Sequence, residues 1–444
     1  MYRSFSQNLS VINTSQNGKK ASYSTRLSIL TQYYPPDYAA TGQLIEELAN
    51  QLGRQGMKVH IFTGQPGYAF GQEDAPTLEE NDRLSVRRSR TTRILSQRIR
   101  GKAINGLIFS LRAGLHLLKT ASRGDVLLVT TAPPFLPLLG YLANLCFGVP
   151  YVCLIYDLYP DVAVELKVIS RTHKLVELWN KVNRLVWRKA KSVIVLSSSM
   201  KNRVLAQCPE IGDRVAVIHS WADPHHIVPI PKSENWFAHQ HNLVEKFCVL
   251  YSGNMGRCHD MDTILEAAQH LKNEPIQFVF IGNGAKYQAC QEQARILGLN
   301  HITFLPYQDK ECLPYSLTAC DLSLVSISPG MEGLVAPSKL YGILAAGRPV
   351  AAICESHSYL RQMLSEVNFG QAFDNGDSQG LAQFIRELAT NREKTEFMGS
   401  QGRRYLETHF TPERIAQQYG EVLTVDPEWK SKVNMGRLVK FKEF

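Results

Sequence analysis

Apolar and polar residues alternate along this chain in a pattern that predicts short buried strands separated by helices. Runs rich in Val, Ile, Leu and Phe recur between stretches that have the spacing of amphipathic helices. In the first half of the chain the predicted strands are Arg26–Thr31, Lys58–Thr63, Asp125–Thr130, Tyr151–Tyr156 and Ser192–Ser197. Apolar strands that alternate with helices are typical of a parallel, doubly wound sheet.

The same pattern starts again after a connector rich in proline, histidine and tryptophan. The strands predicted there are Phe247–Ser252, Gln277–Gly282, Ile302–Leu305, Leu322–Val325 and Pro349–Ile353. Two Rossmann-like halves joined by a linker enclose a cleft, and ligands of such sheets bind at the carboxyl ends of the strands. The sequence therefore predicts an α/β fold with two Rossmann-like, doubly wound parallel-sheet domains that face a cleft.

These patterns divide the chain into six segments. The segments are a disordered leader at 1–24, an N-terminal domain at 25–220, a linker at 221–246, a C-terminal domain at 247–406, a final helix at 407–425 and a basic tail at 426–444. The apolar segment Pro133–Val149 is interrupted by prolines and glycines, and it is shorter than the ~20 residues that span a bilayer. We predict a buried helix there and no transmembrane helix.

Composition and charge narrow the class of protein. The 444 residues are 44% hydrophobic and 20% charged, and the nine cysteines lack metal-ligand spacing, which favours a globular protein with reduced thiols. The net charge is +9, and no acidic residue lies between Arg83 and Arg123. Apolar residues interleave with the basic ones there and predict an amphipathic helix; they are Leu107, Ile108, Leu111, Leu115 and Leu118.

Two interpretations of this basic stretch stay open. It is either a solvated helix face or a surface that docks on anionic lipid or an anionic acceptor. A nucleic-acid partner is not expected, because the stretch lacks the aromatic residues of single-strand binders. A second helix, near Trp179 and Trp187, has Leu175, Leu178 and Leu185 at helical spacing, so we expect these residues to pack in the core.

Residues 331–350 carry the strongest chemical signal. Glu332 and Gly333 open a loop, and Pro337 and Ser338 predict the first turn of a helix that contains Lys339. A helix N-terminus with a lysine in its first turn attracts an anion such as phosphate. A carboxylate does not bind phosphate, because both are anions. Glu332 is therefore expected to hold the hydroxyls of a sugar next to the phosphate site.

Glycines follow two predicted strands of the second half. Gly253, Asn254 and Arg257 follow one strand, and Gly282 and Gly284 follow the next, so both groups are expected at the same sheet edge. Glycines allow the backbone to approach a ligand closely, and an arginine can bind two phosphate oxygens. Arg257 and Lys339 together supply two positive charges, which suits a diphosphate. In the first half, Gly42 precedes a helix and is expected to face that diphosphate from the other side of the cleft.

Aspartates occur at two further places. Asp157 directly follows a buried strand, and we expect it to contact the acceptor or act in catalysis. Asp260 and Asp262 have the D-x-D spacing of metal-dependent sugar transferases, but they lie where a helix begins. An N-capping role explains this pair better, so no metal site is predicted.

These motifs together resemble the family 4 glycosyltransferases of the GT-B fold, in the branch that builds bacterial exopolysaccharide, capsule, colanic acid or O-antigen. The resemblance runs from about Arg26 to Leu423. Its most specific pieces are Pro337–Tyr341 with Ala346–Val350, followed by Tyr251–Gly256 and Asp157–Asp161.

The resemblance implies a retaining, metal-independent transfer of a hexosyl or N-acetylhexosaminyl group from a nucleotide-diphosphate sugar, without a cofactor. It places the donor mainly on the C-terminal domain, with the diphosphate near Gly253, Arg257 and Lys339. Glu332 matches the first glutamate of the E-x7-E motif, which holds donor hydroxyls. The last helix would cross back to the N-terminal domain, where the acceptor binds.

Four positions depart from the family pattern. Counting back from Gly347–Val350, the second glutamate of E-x7-E falls on Gly342, which lies ten positions after Glu332 and not the eight of the motif. The usual phosphate-binding arginine and lysine fall on Asn254 and His259, so we expect Arg257 and Lys339 to replace them. A histidine often found before the Asp157 position is Tyr156, so no catalytic histidine is predicted.

The expected mechanism needs no general base. Arg257, Lys339 and helix N-termini stabilise charge on the departing diphosphate, while Asp157 orients the acceptor or takes its proton. We expect a glycan or polyprenyl-linked acceptor, an anionic membrane surface as partner, and a cytoplasmic location on the inner face of the plasma membrane. The alternatives are a nucleotide-sugar epimerase or phosphorylase of the same fold, an inactive membrane-associated scaffold and, least favoured, a dinucleotide oxidoreductase, since neither half has the glycine fingerprint.

Overall fold

The structure is a computed structural model. It describes residues 25–37, 39–66, 75–90, 99–119 and 124–424. The predicted leader at 1–24 and the predicted tail at 426–444 lie outside the described residues, as do several arginines of the basic stretch.

The N-terminal domain is built on an eight-stranded sheet with the order β3-β4-β2-β1-β5-β6-β7-β8. Its strands are β1 (Arg26–Leu30), β2 (Lys58–Thr63), β3 (Leu78–Glu80), β4 (Leu84–Arg88), β5 (Val126–Thr130), β6 (Tyr151–Ile155), β7 (Ser192–Val195) and β8 (Val215–Val217). Every pair is parallel except β3 with β4. All residues of β5, β6 and β7 are buried, as in a sheet covered on both faces.

The C-terminal domain has a six-stranded parallel sheet with the order β11-β10-β9-β12-β13-β14. Its strands are β9 (Phe247–Ser252), β10 (Ile276–Ile281), β11 (Ile302–Leu305), β12 (Leu322–Ser326), β13 (Val350–Ile353) and β14 (Gly370–Phe373). The order reverses at β9, and such a switch opens a crevice at the carboxyl edge of the sheet.

Helices connect the strands of both sheets. In the N-terminal domain they are α1 (Ala40–Arg54), α2 (Ile99–Leu118), α3 (Pro137–Phe147), α4 (Asp161–Glu165), α5 (Lys174–Lys189) and α6 (Ser198–Gln207). After the N-terminal sheet come α7 (Trp236–Gln240), α8 (Asp262–His270), α9 (Tyr287–Ile296), α10 (Leu313–Thr318), α11 (Lys339–Ala345), α12 (Tyr359–Val367), α13 (Ser378–Thr390), α14 (Arg392–His409) and α15 (Pro412–Leu423).

The predicted fold class is confirmed. All ten predicted strands are present, and their ends differ from the prediction by no more than two residues. The sequence analysis missed β3, β4, β8 and β14. Three of these are edge strands, and β4 lies beside an edge. Strands at an edge are short or polar, so they lack the apolar run by which the central strands were found.

Two predictions about burial were wrong. On α5, Leu175, Leu178 and Leu185 are exposed, and Val176 and Val186 face the core instead, whereas the predicted burial of Trp187 is confirmed. The segment at Pro133–Val149 does form a helix between two strands, but Leu142 and Leu145 of that helix, α3, are exposed. Helical spacing shows that residues share a face, but it does not show which side of the helix the sheet covers.

The basic stretch is also less uniform than the sequence suggested. Arg88 is buried, and its guanidinium donates to Glu79 and to the carbonyl of Pro35. The amphipathic helix predicted after it is present as α2. Among the described residues, no helix has the length and apolar content needed to cross a membrane.

The last helix, α15, packs against α1 of the N-terminal domain. The Gln51 amide donates to Glu413 at 3.0 Å, and the Lys191 ammonium donates to the carbonyl of Val422 at 2.5 Å. The chain therefore returns to its first domain after the second sheet is complete, and this return joins the two domains at a second place besides the linker.

Arg403 on α14 fixes the linker to the C-terminal domain. Its guanidinium donates to the carbonyls of Pro224 at 2.8 Å and Ile227 at 2.6 Å, and also to that of Ala345. These three carbonyls lie in the linker and at the end of α11. Because α11 begins at Lys339, Arg403 supports the helix that carries a predicted site residue.

Replacing Arg403 by Ala is expected to lower the free energy of unfolding by about 2–4 kcal/mol, because three carbonyls lose a charged donor. Chemical denaturation measures this loss. The matched control is Arg404→Ala, since Arg404 is exposed on the same helix. Equal losses for the two variants would contradict the role assigned to Arg403.

Candidate functional site

A cleft of about 1530 Å³ lies between the two domains. Its N-terminal wall includes Tyr33, Asp157 and Tyr159, and its C-terminal wall is made by loops that follow β9, β10 and β11. The carboxyl edges of both sheets face this space. The cleft is therefore where the sequence analysis expected a ligand.

Lys339 is the central cation of the C-terminal wall. Its ammonium Nζ is buried, lies 3.5 Å from the centroid of the Tyr251 ring, and has no hydrogen-bond partner among the described residues. Burial holds the pKa of this lysine well below its usual range. A buried cation without a counter-ion is costly, so this position favours an anionic ligand.

The glycine loops pack together beside Lys339. Gly253 has φ +122°, and a Cβ there would lie 3.4 Å from Cε of Lys339. At Gly282 a Cβ would lie 2.1 Å from the carbonyl oxygen of Gly253, and at Gly284 it would lie 2.5 Å from Asn254. Side chains at these positions would force the two loops apart. Gly253, Asn254 and Gly284 line the cleft, whereas Gly282 only supports the loop behind it.

Arg257 and Ser338 also lie on the cleft wall. Arg257 is exposed and makes no ion pair among the described residues. Ser338 immediately precedes α11, which begins at Lys339, and its side chain does not cap the helix. The structure thus brings two cations, two glycine loops and a serine hydroxyl to one wall.

His259 also lines this wall, and it is held neutral. Its Nδ1 lies 2.9 Å from the carbonyl oxygen of Ser326, and its own carbonyl accepts from Lys286 Nζ at 2.7 Å. Burial, followed by the charge of Lys339, lowers the pKa of His259 to about 3. His259 therefore occupies a family cation position without adding a charge, and the positive charge beside the glycine loops comes from Lys339 and Arg257.

Asp157 lines the cleft from the N-terminal domain. Its side chain is enclosed by protein but open to the cleft, and burial raises the pKa of Asp157 to about 6. Burial, and then the charge of Asp157, raises the pKa of Cys258 on the C-terminal wall to about 11, so Asp157 is close enough for its charge to act on that wall. The carboxylate is well placed to accept a hydrogen bond from a ligand hydroxyl.

Glu332 and Gly333 do not line the cleft. Glu332 is 1% exposed, its carboxylate has no hydrogen-bond partner among the described residues, and its charge acts on Tyr359 and Cys354. Gly333 has φ +74° and packs against Ser199 of the N-terminal domain. The loop with Glu332 and Gly333 thus lies against Ser199 and Arg203 of the N-terminal domain, and we call this contact the seam between the domains. A role for Glu332 on donor hydroxyls therefore stays a prediction, and this conformation does not support it.

Gly42 is not on the cleft wall either. It lies inside α1, which begins three residues earlier than predicted, and a Cβ there would lie 3.0 Å from the backbone of Tyr33 and Tyr34. Its neighbours Thr41 and Gln43 line the cleft instead. The lack of a side chain at Gly42 serves the packing of a loop on the helix.

Asp260 caps α8. Its carboxylate accepts from the backbone and the hydroxyl of Thr263 at 3.1 and 2.8 Å, and from the amide of Asn375 at 2.8 Å. The capping interpretation is therefore confirmed. In the described part of the chain, no group of three or more His, Cys, Asp or Glu side chains could hold a metal ion.

The sequence analysis missed Tyr307. This residue follows β11 by two positions and lines the end of the cleft beyond the glycine loops, with its ring near Gly282. The rule that selected Gly253 and Gly284, proximity to the carboxyl end of a strand, would have selected it as well. An aromatic ring at this place offers a surface on which a planar ligand group can stack.

Comparison with known families finds two matches that together run through most of the chain. Residues 41–226 match the family described as Glycosyltransferase Family 4, and residues 232–405 match the family described as Glycosyl transferases group 1. The first range lies in the N-terminal domain with part of the linker, and the second contains the cleft wall with Lys339.

Individual proteins are similar over nearly the same length. The probable glycosyltransferase WbjE of Pseudomonas aeruginosa is 26% identical over 82% of this chain and 89% of its own. The putative colanic acid biosynthesis glycosyl transferase WcaI of Escherichia coli K12 is 25% identical over 74% and 83%. The structure of HepE from Anabaena in complex with UDP and glucose superposes with a TM-score of 0.66 at 17% identity, covering 90% and 99% of the two chains.

Replacing Lys339 by Met is expected to stabilise the ligand-free protein. Because burial holds the pKa of Lys339 low, unfolding lets the side chain take up a proton, and this favours the unfolded state below the usual lysine pKa. The free energy of unfolding at pH 7 should rise by about 1 kcal/mol or more. Denaturant titrations at several pH values measure it.

In these titrations the wild type should gain stability as the pH rises towards the usual lysine pKa, and Lys339→Met should lose that part of the dependence. Lys286→Met is the comparison, because its ammonium bonds the carbonyl of His259 and its loss is expected to destabilise. A Lys339→Met protein less stable than the wild type would show that Lys339 supports the fold.

Proposed function

The chain belongs to the family 4 glycosyltransferases, and on that premise we propose that its cleft binds a nucleotide-diphosphate sugar and transfers the sugar to a glycan acceptor. The observation that carries this proposal is the buried ammonium of Lys339, which has no counter-ion among the described residues and lies against Gly253 at the cleft wall. A diphosphate supplies the missing negative charge.

The surroundings of Lys339 suit a diphosphate rather than a single carboxylate. Arg257 adds a second cation on the same wall, and its planar guanidinium can bind two phosphate oxygens. Gly253 and Gly284 let the backbone come close to the ligand. Tyr307 lies further along the cleft, where the base of a nucleotide could stack on its ring.

In the transfer step the sugar moves from the diphosphate to the acceptor hydroxyl. The bond between the sugar carbon and the diphosphate breaks, and both electrons leave with the diphosphate oxygen. Lys339 and Arg257 stabilise the charge that grows there, which is the main electrostatic demand of the step. The acceptor hydroxyl forms the new bond on the same face of the sugar, and its proton passes to the departing diphosphate.

Asp157 is proposed to orient the acceptor. It lies on the N-terminal wall, and its charge acts on Cys258 of the C-terminal wall. A carboxylate there accepts a hydrogen bond from the incoming hydroxyl and so holds its oxygen towards the donor. No metal is needed in this scheme, because two side-chain cations lie where a metal would neutralise the diphosphate and Asp260 is engaged as a helix cap.

The finer identity of the substrates is also part of the proposal. The transferred group is a hexose or an N-acetylhexosamine, and the acceptor is a glycan carried on a polyprenyl lipid. The complex of HepE with UDP and glucose, and the role of WcaI in colanic acid biosynthesis, support a sugar nucleotide and a surface polysaccharide. We propose that the protein reaches this acceptor from a peripheral position on the cytoplasmic face of the membrane.

The inactive-scaffold alternative is disfavoured by the energetics of Lys339. A buried, unpaired ammonium lowers stability, so a chain that no longer bound an anion would be expected to lose it. The epimerase alternative differs in its product, because it would alter the donor sugar and release no new glycoside.

Binding of UDP is expected to raise the pKa of Lys339, because the charge of the diphosphate favours the ammonium, so proton uptake should accompany binding at pH values between the pKa of this lysine in the free protein and its pKa in the complex. Isothermal titration in two buffers of different ionisation enthalpy measures this uptake. Lys339→Met should bind UDP at least about tenfold more weakly and without proton uptake.

Lys272→Met is the control for this titration, because Lys272 is an exposed lysine of the same domain outside the cleft wall. It should bind UDP as the wild type does. UDP binding by the wild type without proton uptake at any pH from about 7 to about 10 would contradict the assignment of Lys339 to the diphosphate.

Replacing Asp157 by Asn is expected to lower kcat by about 10²-fold or more while UDP affinity is kept. In the wild type, kcat/KM should fall as the pH drops below about 6, where the Asp157 carboxylate of the free protein becomes protonated. The variant should lack this acidic limb. The released nucleoside diphosphate is measured with the donor that the protein accepts.

The control is Asp161→Asn at the start of α4, four residues after Asp157. Its carboxylate accepts from Gln207 at 3.0 Å and does not line the cleft, so the acidic limb should persist. An unchanged pH profile in Asp157→Asn would remove Asp157 from the transfer step.

A further inference from the structure

The outer face of the N-terminal domain is unusually apolar. Among the described residues, 11 of the 17 large apolar side chains that are exposed lie on α2, on α3, on α5 or at Phe135 just before α3. Scattered exposed leucines are normal, but a concentration of this kind marks an interaction surface. We call the surface made by these three helices the outer face.

The longest apolar stripe of the outer face runs along α2. It consists of Ile104, Leu107, Leu111, Leu115 and Leu118, and Leu111 and Leu115 are 62% and 64% exposed. The opposite side of α2, with Phe109, Ala113 and Leu117, is buried. The stripe therefore points away from the domain.

α3 and α5 continue this surface. α3 packs against both α2 and α5, so the three helices lie side by side. Leu142 and Leu145 of α3 are exposed, as are Leu175, Leu178 and Leu185 of α5. α5 turns Val176, Val186 and Trp187 towards the core, so its exposed side points the same way as that of α2.

The charge of the outer face indicates what covers it. Among the side chains that the structure describes, the three helices carry six lysines and arginines, of which Arg188 is paired with Glu210, and a single acidic residue, Glu177. That carboxylate is paired with Lys181. Leucines with basic residues at their edges are typical of surfaces that lie in the interface of an anionic bilayer, where the apolar groups enter the lipid and the cations contact headgroups.

We propose that the outer face docks on an anionic lipid bilayer. The proposal rests on the proposed function, because docking on a membrane would bring the cleft to a lipid-linked acceptor. It goes further by assigning the contact to the apolar stripes of α2, α3 and α5, whereas the basic stretch alone would bind through charge.

An aromatic stack joins the outer face to the cleft. Phe135 is exposed at the start of α3, and its ring stacks on Trp179 of α5 with the centroids 4.3 Å apart. Trp179 in turn stacks with Tyr159 at 6.0 Å, and Tyr159 lines the cleft two residues from Asp157. Docking on the outer face therefore places these rings between the bilayer and the residue proposed to orient the acceptor.

Flotation with vesicles tests the proposal without any nucleotide, so it is independent of donor binding. The wild type should float with phosphatidylcholine vesicles that contain about 30% phosphatidylglycerol. Leu111→Glu combined with Leu115→Glu should lower the partition coefficient about tenfold or more. UDP binding and the melting temperature of this variant should be unchanged, because both residues are exposed and neither lines the cleft.

The matched control is Ile296→Glu combined with Phe397→Glu, which adds the same charge at two exposed apolar residues of the C-terminal domain. It should float as the wild type does. Brominated lipid should also quench the fluorescence of Trp179, and Trp179→Phe should remove that part of the quenching.

Three results would overturn the proposal. The first is a wild type that does not float with anionic vesicles at low salt. The second is an equal loss of flotation in both double variants. The third is a lipid-free dimer that Leu111→Glu with Leu115→Glu converts to monomers, because the outer face would then be covered by a second copy of the chain.

Discussion

The ammonium of Lys339 is enclosed by protein, lies over the ring of Tyr251 and has no carboxylate beside it among the described residues. Several features of the C-terminal domain hold it there. Gly253 makes room for its side chain, α11 begins at this residue, and Arg403 bonds the end of that helix to the linker. The domain thus holds a charge that is unfavourable until an anion arrives, and this makes the cleft selective for a ligand such as a diphosphate.

The seam between the domains sets the position of the other reacting group. The backbone N–H of Leu158 donates to the carbonyl of Leu334 at 2.9 Å, so the loop that carries Asp157 is bonded to the loop that leads to Lys339. Arg203 adds a bond to the carbonyl of Glu332 at 3.1 Å. These contacts bring the acceptor wall and the donor wall together. They also explain why Glu332, which the family pattern assigns to the donor sugar, lies in the seam in this conformation.

The central strands and the cations of the site could be predicted from the sequence, because both depend on local signals. An apolar run identifies a buried strand, and glycines with a lysine at a strand end identify an anion site. Gly42 and the leucines of α5 were misplaced for a different reason. Their roles depend on which side of a helix the rest of the chain covers, and helical spacing alone does not contain that information. Tyr307 was missed, although its position directly after the carboxyl end of β11 could have predicted it by the same rule as the glycines.

The central claim is that the cleft binds a nucleoside diphosphate through Lys339. The most direct test is a thermal-shift series with UDP, GDP, ADP, TDP, their sugar conjugates and NAD(P), without added metal. The account predicts that at least one sugar nucleotide raises the melting temperature of the wild type and does not raise that of Lys339→Met. Stabilisation by NAD(P) alone, or equal stabilisation of both proteins by a sugar nucleotide, would contradict it.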